Sequence, residues 1–176
     1  MEALTREEFQ RLLAHTRECD PRLWLMILIH FWHAGRNSEI IHLTRDNFIG
    51  DYIEFPRLKG SLPCKQALVS HENPLLNEKL ALLEYLPRIG RNQRLFPMSR
   101  WTYWRHVVKA ALAVGIPRVK AKTTVLKHSI CTYLYETVGA NMVQRRAGHV
   151  NGANTLEYGK VQESQVDPFV SAGVKL

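Results

Sequence analysis

The stretch "LWLMILIHFWHA", Leu23 to Ala34, limits what this 176-residue chain can fold into more than any other. It is apolar nearly all round a helical projection, so as a helix it belongs at the centre, with neighbours packed about it. Asp20-Pro21 opens it, with a side chain able to cap and a ring suited to the first turn. Gly35 closes it. His30 and His33 interrupt the run, and no segment reaches the roughly eighteen apolar residues of a membrane-crossing helix. Met1 is followed by charged, periodic sequence rather than by a leader. The expectation is one globular domain, with a 45% apolar content large enough for a core.

Around this helix the pattern predicts others. Thr5-Arg6-Glu7-Glu8 is a capping box ahead of the apolar stripe Phe9, Leu12 and Leu13. Asn37 or Ser38 is expected to cap a short helix over "SEIIHL". The period then shortens. "NFIGDYIEF" is two strand pieces around Gly50-Asp51, "RLKGSLP" is a turn, and "KQALVS" is a third strand. Helical pattern returns in "NPLLNEKLALLEYL", in a helix capped by Ser99 and closed by Gly115, over about Thr124 to Val138, and over about Asn141 to Ala147. A further short helix is expected after Asn151. The fold class is therefore mainly α with a small antiparallel β-sheet, an α+β domain.

Charge narrows the partner. The net charge is +8, and twelve Lys and Arg residues lie between Arg88 and Arg146 with Glu136 as their single acid. A one-signed segment repels itself unless an anion neutralises it, so nucleic acid is the leading partner. Cys19, Cys64 and Cys131 are odd in number and form no CxxC pair, which fits a reduced compartment better than a disulfide scaffold or zinc site. His30 and His33 have a metal-like spacing, but no carboxylate or cysteine cluster completes a site, and core packing is the simpler account. Trp101 and Trp104, three apart, are expected to form one packed face.

Four constellations can carry chemistry. Arg36 follows Gly35 at a helix end, with Glu39 one turn on, where a guanidinium fork can take two phosphate oxygens. Lys59 stands beside Gly60 in the turn between two strands. Lys127 and His128 open a helix whose apolar side is Val125, Leu126, Ile130, Leu134 and Val138, and His128 suits a boundary position. In "RRAGHVNGANTLEYGKV", His149 precedes Tyr158 by nine residues, behind Arg145-Arg146.

In this order the pieces resemble the catalytic domain of the tyrosine recombinases, the phage-integrase family. "AGRNSEIIHLT" is similar to its first arginine box, "FPRLKGSLPCKQALVS" to its β-hairpin, "TTVLKHSICTYLYETVGA" to its second box and "AGHVNGANTLEYGKV" to its last. The resemblance covers nearly the whole chain and implies a catalytic set of Arg36, Lys59, Lys127, His149 and Tyr158. Thr124 stands where the family usually has histidine, and Lys127 where it usually has arginine. A shifted register would put His128 and Cys131 at those positions, but "LKHS" then "CTYLYE" fits the family pattern better.

The resemblance implies strand cleavage and rejoining on double-stranded DNA through a 3′-phosphotyrosine, without cofactor or metal. The alternative is a catalytically weak or inactive DNA-binding module of the same fold. Arg100, Arg105, Lys122, Arg145 and Arg146 are expected DNA contacts. The tail after Tyr158, with Val166, Phe169, Val170 and Val174, is expected to mediate self-association on DNA. The resemblance also implies a bacterial cytoplasmic, nucleoid-associated protein of phage or mobile-element origin. Residues 1–176 are expected to be a single catalytic domain, without the N-terminal core-binding domain of the family.

Overall fold

The structure is a computed structural model and describes residues 2–55 and 64–148. The order of elements is α1 (Arg6–Cys19), α2 (Pro21–Trp32), α3 (Asn37–Ile40), β1 (Phe48–Ile49), β2 (Tyr52–Phe55), β3 (Cys64–Ala67), α4 (Glu78–Tyr85), α5 (Arg100–Ala113), α6 (Thr124–Val138) and α7 (Ala140–Ala147). Short 3-10 turns cover Arg45–Asn47 and Leu86–Arg88.

α2 is the central helix that its sequence demands. Residues 23 to 31 are all buried, and α1, α4, α5 and α6 pack against it. Asp20 caps it through a 3.1 Å bond from Leu23 N–H to Oδ1, with Pro21 in the first turn. The capping box on α1 forms as expected, with Glu8 N–H donating to Thr5 Oγ1 and Thr5 N–H donating to Glu8 Oε2. Ser99 caps α5 by accepting from Thr102 N–H at 3.0 Å. Among the described residues no helix is long and apolar enough to cross a membrane.

The three strands form one antiparallel sheet in the order β1-β2-β3. Phe48 faces Ile53 across the β1–β2 turn, and Phe55 faces Cys64 across β2–β3. Gly50, at φ +58°, makes the first turn, a conformation that glycine adopts without steric cost. On β2, Ile53 and Phe55 point into the core while Tyr52 and Glu54 face out.

Three expectations need correction. α2 stops at Trp32 rather than at Gly35, because Ala34 takes a left-handed conformation at φ +48°. α4 begins at Glu78 rather than at Asn73, because Asn77 caps it by accepting from Leu80 N–H. Asn73 instead closes its own turn by accepting from Leu75 N–H. α3 is capped by Arg36 rather than by Asn37 or Ser38, because the turn after Gly35 already leaves Arg36 extended at the helix start. Trp101 and Trp104 share a face as expected and stack at 4.7 Å, with Trp101 62% exposed.

A buried cation locks the amino-terminal segment to the chain ahead of α6. Lys120 Nζ lies 3.1 Å from Glu8 Oε2 and 3.1 Å from Glu2 Oε1. Burial pulls the Lys120 pKa down, but the hydrogen bonds to Glu8 and Glu2 outweigh it and leave a net rise. Breaking a buried pair leaves the partner charge uncompensated. Lys120→Met is therefore expected to cost about 2 kcal/mol, below the range for fully buried pairs because Glu2 is mostly exposed. The urea midpoint against wild type checks this.

Candidate active site

The site is built on the turn that ends α2. After left-handed Ala34 comes Gly35, where a Cβ would lie 2.8 Å from Ile40 Cδ1 and 3.2 Å from the Phe55 ring. Both neighbours are buried, so a side chain here would have to displace the tip of Ile40 and crowd the Phe55 ring. Arg36 then leaves the turn in an extended conformation, φ −93° and ψ 153°, as the N-cap of α3. Glu39 is fully buried behind it. Its Oε2 accepts the Arg36 backbone N–H at 2.8 Å, and its Oε1 accepts Arg36 Nη1–H at 3.0 Å. One carboxylate thus fixes both the backbone and the guanidinium, and the Arg36 side chain stays one-third exposed.

His30 supports this turn from inside. Its Nδ1 lies 2.9 Å from the Tyr103 hydroxyl. Burial, reinforced by the nearby Lys127 charge, lowers its pKa to about 3. Burial also raises the Tyr103 pKa well above the usual phenol value, so the phenol keeps its proton and stays hydrogen-bonded to Nδ1. His30 is a neutral strut across the physiological range.

Arg36 opens onto a cleft of about 450 Å³. Its walls come from the α2–α3 turn (Gly35, Arg36, Asn37, Ser38), from α5 (Arg100, Trp104) and from the start of α6 (Lys122, Thr123, Thr124, Lys127). Four cations and no carboxylate stand among these lining residues. The positive end of the α6 dipole borders the same space. Asn37 Nδ2 donates to Thr123 Oγ1 at 2.5 Å and ties two of the walls together. Such a surface attracts a polyanion, and a phosphate beside Arg36 would also meet Lys127.

Thr124 and Lys127 are three residues apart on α6 and share the face that lines the cleft. Lys127 Nζ donates to Ala147 O at 3.2 Å, which joins the cleft to the carboxyl end of α7. Gly148, left-handed at φ +65°, ends α7. His128 is half-buried, as its boundary position suggests.

Of the expected site residues, the fold therefore brings together Arg36, Lys127, Arg100 and Lys122. Arg105 is exposed on α5 and lies outside the cleft lining. Arg145 is exposed on α7, whereas Arg146 Nε–H is spent on Trp32 O at 2.7 Å. Lys59, His149 and Tyr158, together with the helix expected after Asn151 and the tail, lie outside the described residues. Sequence reasoning named Glu39 and His30 without giving either this role, and passed over Tyr103. Glu39 carried a signal, since an acid three residues after the N-cap is a capping-box position. His30 and Tyr103 carried none, because their pairing joins residues 73 positions apart.

No protein-family model matches the chain. A tyrosine recombinase XerA of Thermococcus kodakarensis is 29% identical over 171 residues, an alignment covering 90% of this chain and 58% of the relative. A crystal structure of XerA recombinase superposes with a TM-score of 0.78 at 16% identity, over 98% of this chain and 65% of that one. XerH recombinase, in a pre-cleavage complex with its difH substrate, gives 0.76 at 19% identity, over 96% and 53%. The catalytic core of lambda integrase gives 0.67 at 16% identity, over 85% of this chain and 92% of that core. This chain thus spans little more than half the length of the XerA relative and matches the lambda integrase catalytic core over nearly its whole extent. The sequence likeness and the fold agree: the chain is similar in sequence to a XerA tyrosine recombinase and has the fold of the XerA, XerH and lambda integrase catalytic domains.

Proposed function

We propose that this chain cleaves and rejoins DNA strands at specific sites through a covalent phosphotyrosine. The observation that carries the proposal is the cleft in which the Arg36 guanidinium, held by buried Glu39, stands with Lys127 in a lining without carboxylates. The Tyr158 hydroxyl attacks the scissile phosphorus, forming a Tyr–O–P bond and breaking the P–O5′ bond. The phenolic proton passes to solvent water, and the 5′ oxygen takes a proton from Lys59 to depart as a hydroxyl. Arg36, Lys127 and His149 donate to the non-bridging oxygens as negative charge builds on them. Rejoining is the reverse step, with the 5′-hydroxyl of another strand as attacker, and the phosphotyrosyl bond conserves the energy that rejoining needs.

Arg100 and Lys122 extend the positive surface along the cleft and suit the flanking phosphates of a duplex. Arg105 and Arg145, exposed elsewhere, add to non-specific attraction. XerH and lambda integrase relatives are described on DNA, the latter as a dimer and as a tetramer on a Holliday junction. By that analogy the substrate here is double-stranded DNA, and copies associate on it through the tail after Tyr158. A DNA substrate supports a cytoplasmic location.

A duplex carrying a nick beside the scissile phosphate, so that the cleaved fragment diffuses away, tests this. The expected result is a protein–DNA adduct that survives SDS and maps by mass spectrometry to the peptide containing Tyr158. An adduct on another residue overturns the nucleophile. Salt-dependent binding with no adduct points instead to an inactive DNA-binding module, which the lysine at position 127 would favour.

A further inference from the structure

A second buried polar cluster lies behind the cleft and takes no part in the chemistry above. His33 is fully buried at the end of α2. Its Nδ1 is 2.9 Å from Gln66 Oε1 on β3, and its Nε2 is 2.8 Å from Glu78 Oε1 at the start of α4. The amide of Gln66 has its orientation set by its other partner. Gln66 Nε2–H donates at 3.0 Å to the carbonyl of Arg146 near the end of α7, and a carbonyl only accepts. Gln66 Oε1 therefore faces His33 as acceptor, and His33 Nδ1 carries a proton. Glu78 Oε1 also accepts Val69 N–H at 2.6 Å, so the segment after β3 is tied to the same carboxylate. The guanidinium of Arg146 adds a second bond to α2 through Trp32 O.

We infer that His33, Gln66 and Glu78 form a positioning clamp that holds the α2 turn, β3 and the end of α7 in one register. The three held segments are those that run into the proposed catalytic residues. His33 lies three residues before Arg36, β3 starts five residues after Lys59, and Arg146 lies three residues before His149. The last carbonyls of α7 find donors on two sides, Gln66 at Arg146 O and Lys127 at Ala147 O. Helix-end carbonyls need such partners when buried. A shift of α7 therefore also withdraws the acceptor that steadies Lys127. None of the three clamp side chains lines the cleft. They act through the residues they hold, so they are positioning rather than catalytic residues. Their catalytic consequence rests on the recombinase reading, whereas the clamp itself does not.

The test uses the full chain with Gln66→Met, which keeps the volume and removes the hydrogen bonds to His33 and to Arg146 O. Gln66→Glu is the second variant, which keeps an acceptor for His33 and replaces the donor to Arg146 O with a carboxylate oxygen. Amide hydrogen exchange over residues 144–148 is expected to quicken about tenfold or more in both, with exchange in α1 and α2 unchanged. On the nicked duplex, adduct formation is expected to slow about tenfold to a hundredfold with DNA affinity within about twofold of wild type. Gln66→Glu distinguishes the clamp from general destabilisation, since it spares the His33 link. Unchanged exchange at the end of α7 in both variants overturns the clamp. Unchanged adduct rates with quickened exchange overturn its positioning role. If wild type itself forms no adduct, the recombinase reading fails, and the exchange result still decides whether the clamp exists.

Discussion

Arg36→Ala is expected to slow formation of the covalent protein–DNA adduct by about a thousandfold, while duplex affinity falls by less than about tenfold. The asymmetry follows from geometry. Arg36 is one of four cations lining the cleft, so the long-range attraction for DNA survives its loss. What disappears is a fork held in place by Glu39 at 3.0 Å and aimed where charge builds only in the transition state. Removing one such donor typically costs about a hundredfold to a thousandfold in rate, and a two-pronged donor belongs at the upper end. Arg36→Lys should recover charge without the fork and remain about a hundredfold slow. Quench-flow or timed SDS sampling on the nicked duplex, beside a binding isotherm, separates the two effects. Equal losses of rate and affinity would mean that Arg36 binds ground state and transition state alike, and its assigned role would fall.

Acid is expected to weaken the fold through His30. Its pKa is about 3 in the folded chain, against 6.5 for an ordinary histidine. The unfolded chain therefore takes up a proton as pH falls below 6.5, while the folded chain refuses it until about 3. Stability from this residue is fully present above pH 6.5 and is lost with falling pH at about 1.4 kcal/mol per unit. By pH 4 the loss reaches about 3 kcal/mol, a large part of the roughly 5–15 kcal/mol that holds a typical domain together. Urea midpoints from pH 7 to pH 4 measure it. His30→Gln removes the titrating ring but can still accept from Tyr103. It should start lower at pH 7 and show a flatter slope between pH 6 and pH 4. Other acid-sensitive groups, such as Glu8 with its lowered pKa, contribute to both proteins and cancel in the difference. Parallel slopes would remove His30 as the source.

The helices were legible because their signals are local. Thr5 with Glu8, Asp20 with Pro21, and Ser99 with Thr102 are caps within one turn, and each forms where the pattern put it. The hairpin was legible for the same reason, through Gly50 and the alternation along β2. Errors fell where a side chain competed with the helix pattern, as at Asn73 and Asn77, or where tertiary packing forced the backbone, as at Ala34. The paired tryptophans share a face as their spacing predicted, but spacing does not say what that face meets.

The site divides along the same line. Arg36 and Lys127 were nameable from motif order, and α2 was bound to be central because no face of it tolerates water. Nothing in the chain's order announced that His30 would meet Tyr103, or that His33 would join Gln66 and Glu78. Those pairings span 33 to 73 residues and exist only once helices and sheet have packed. Local sequence determined which elements form, because caps and periodicity act within a few residues. Tertiary structure decided which polar groups became buried, because burial is what makes a histidine find a partner or remain neutral.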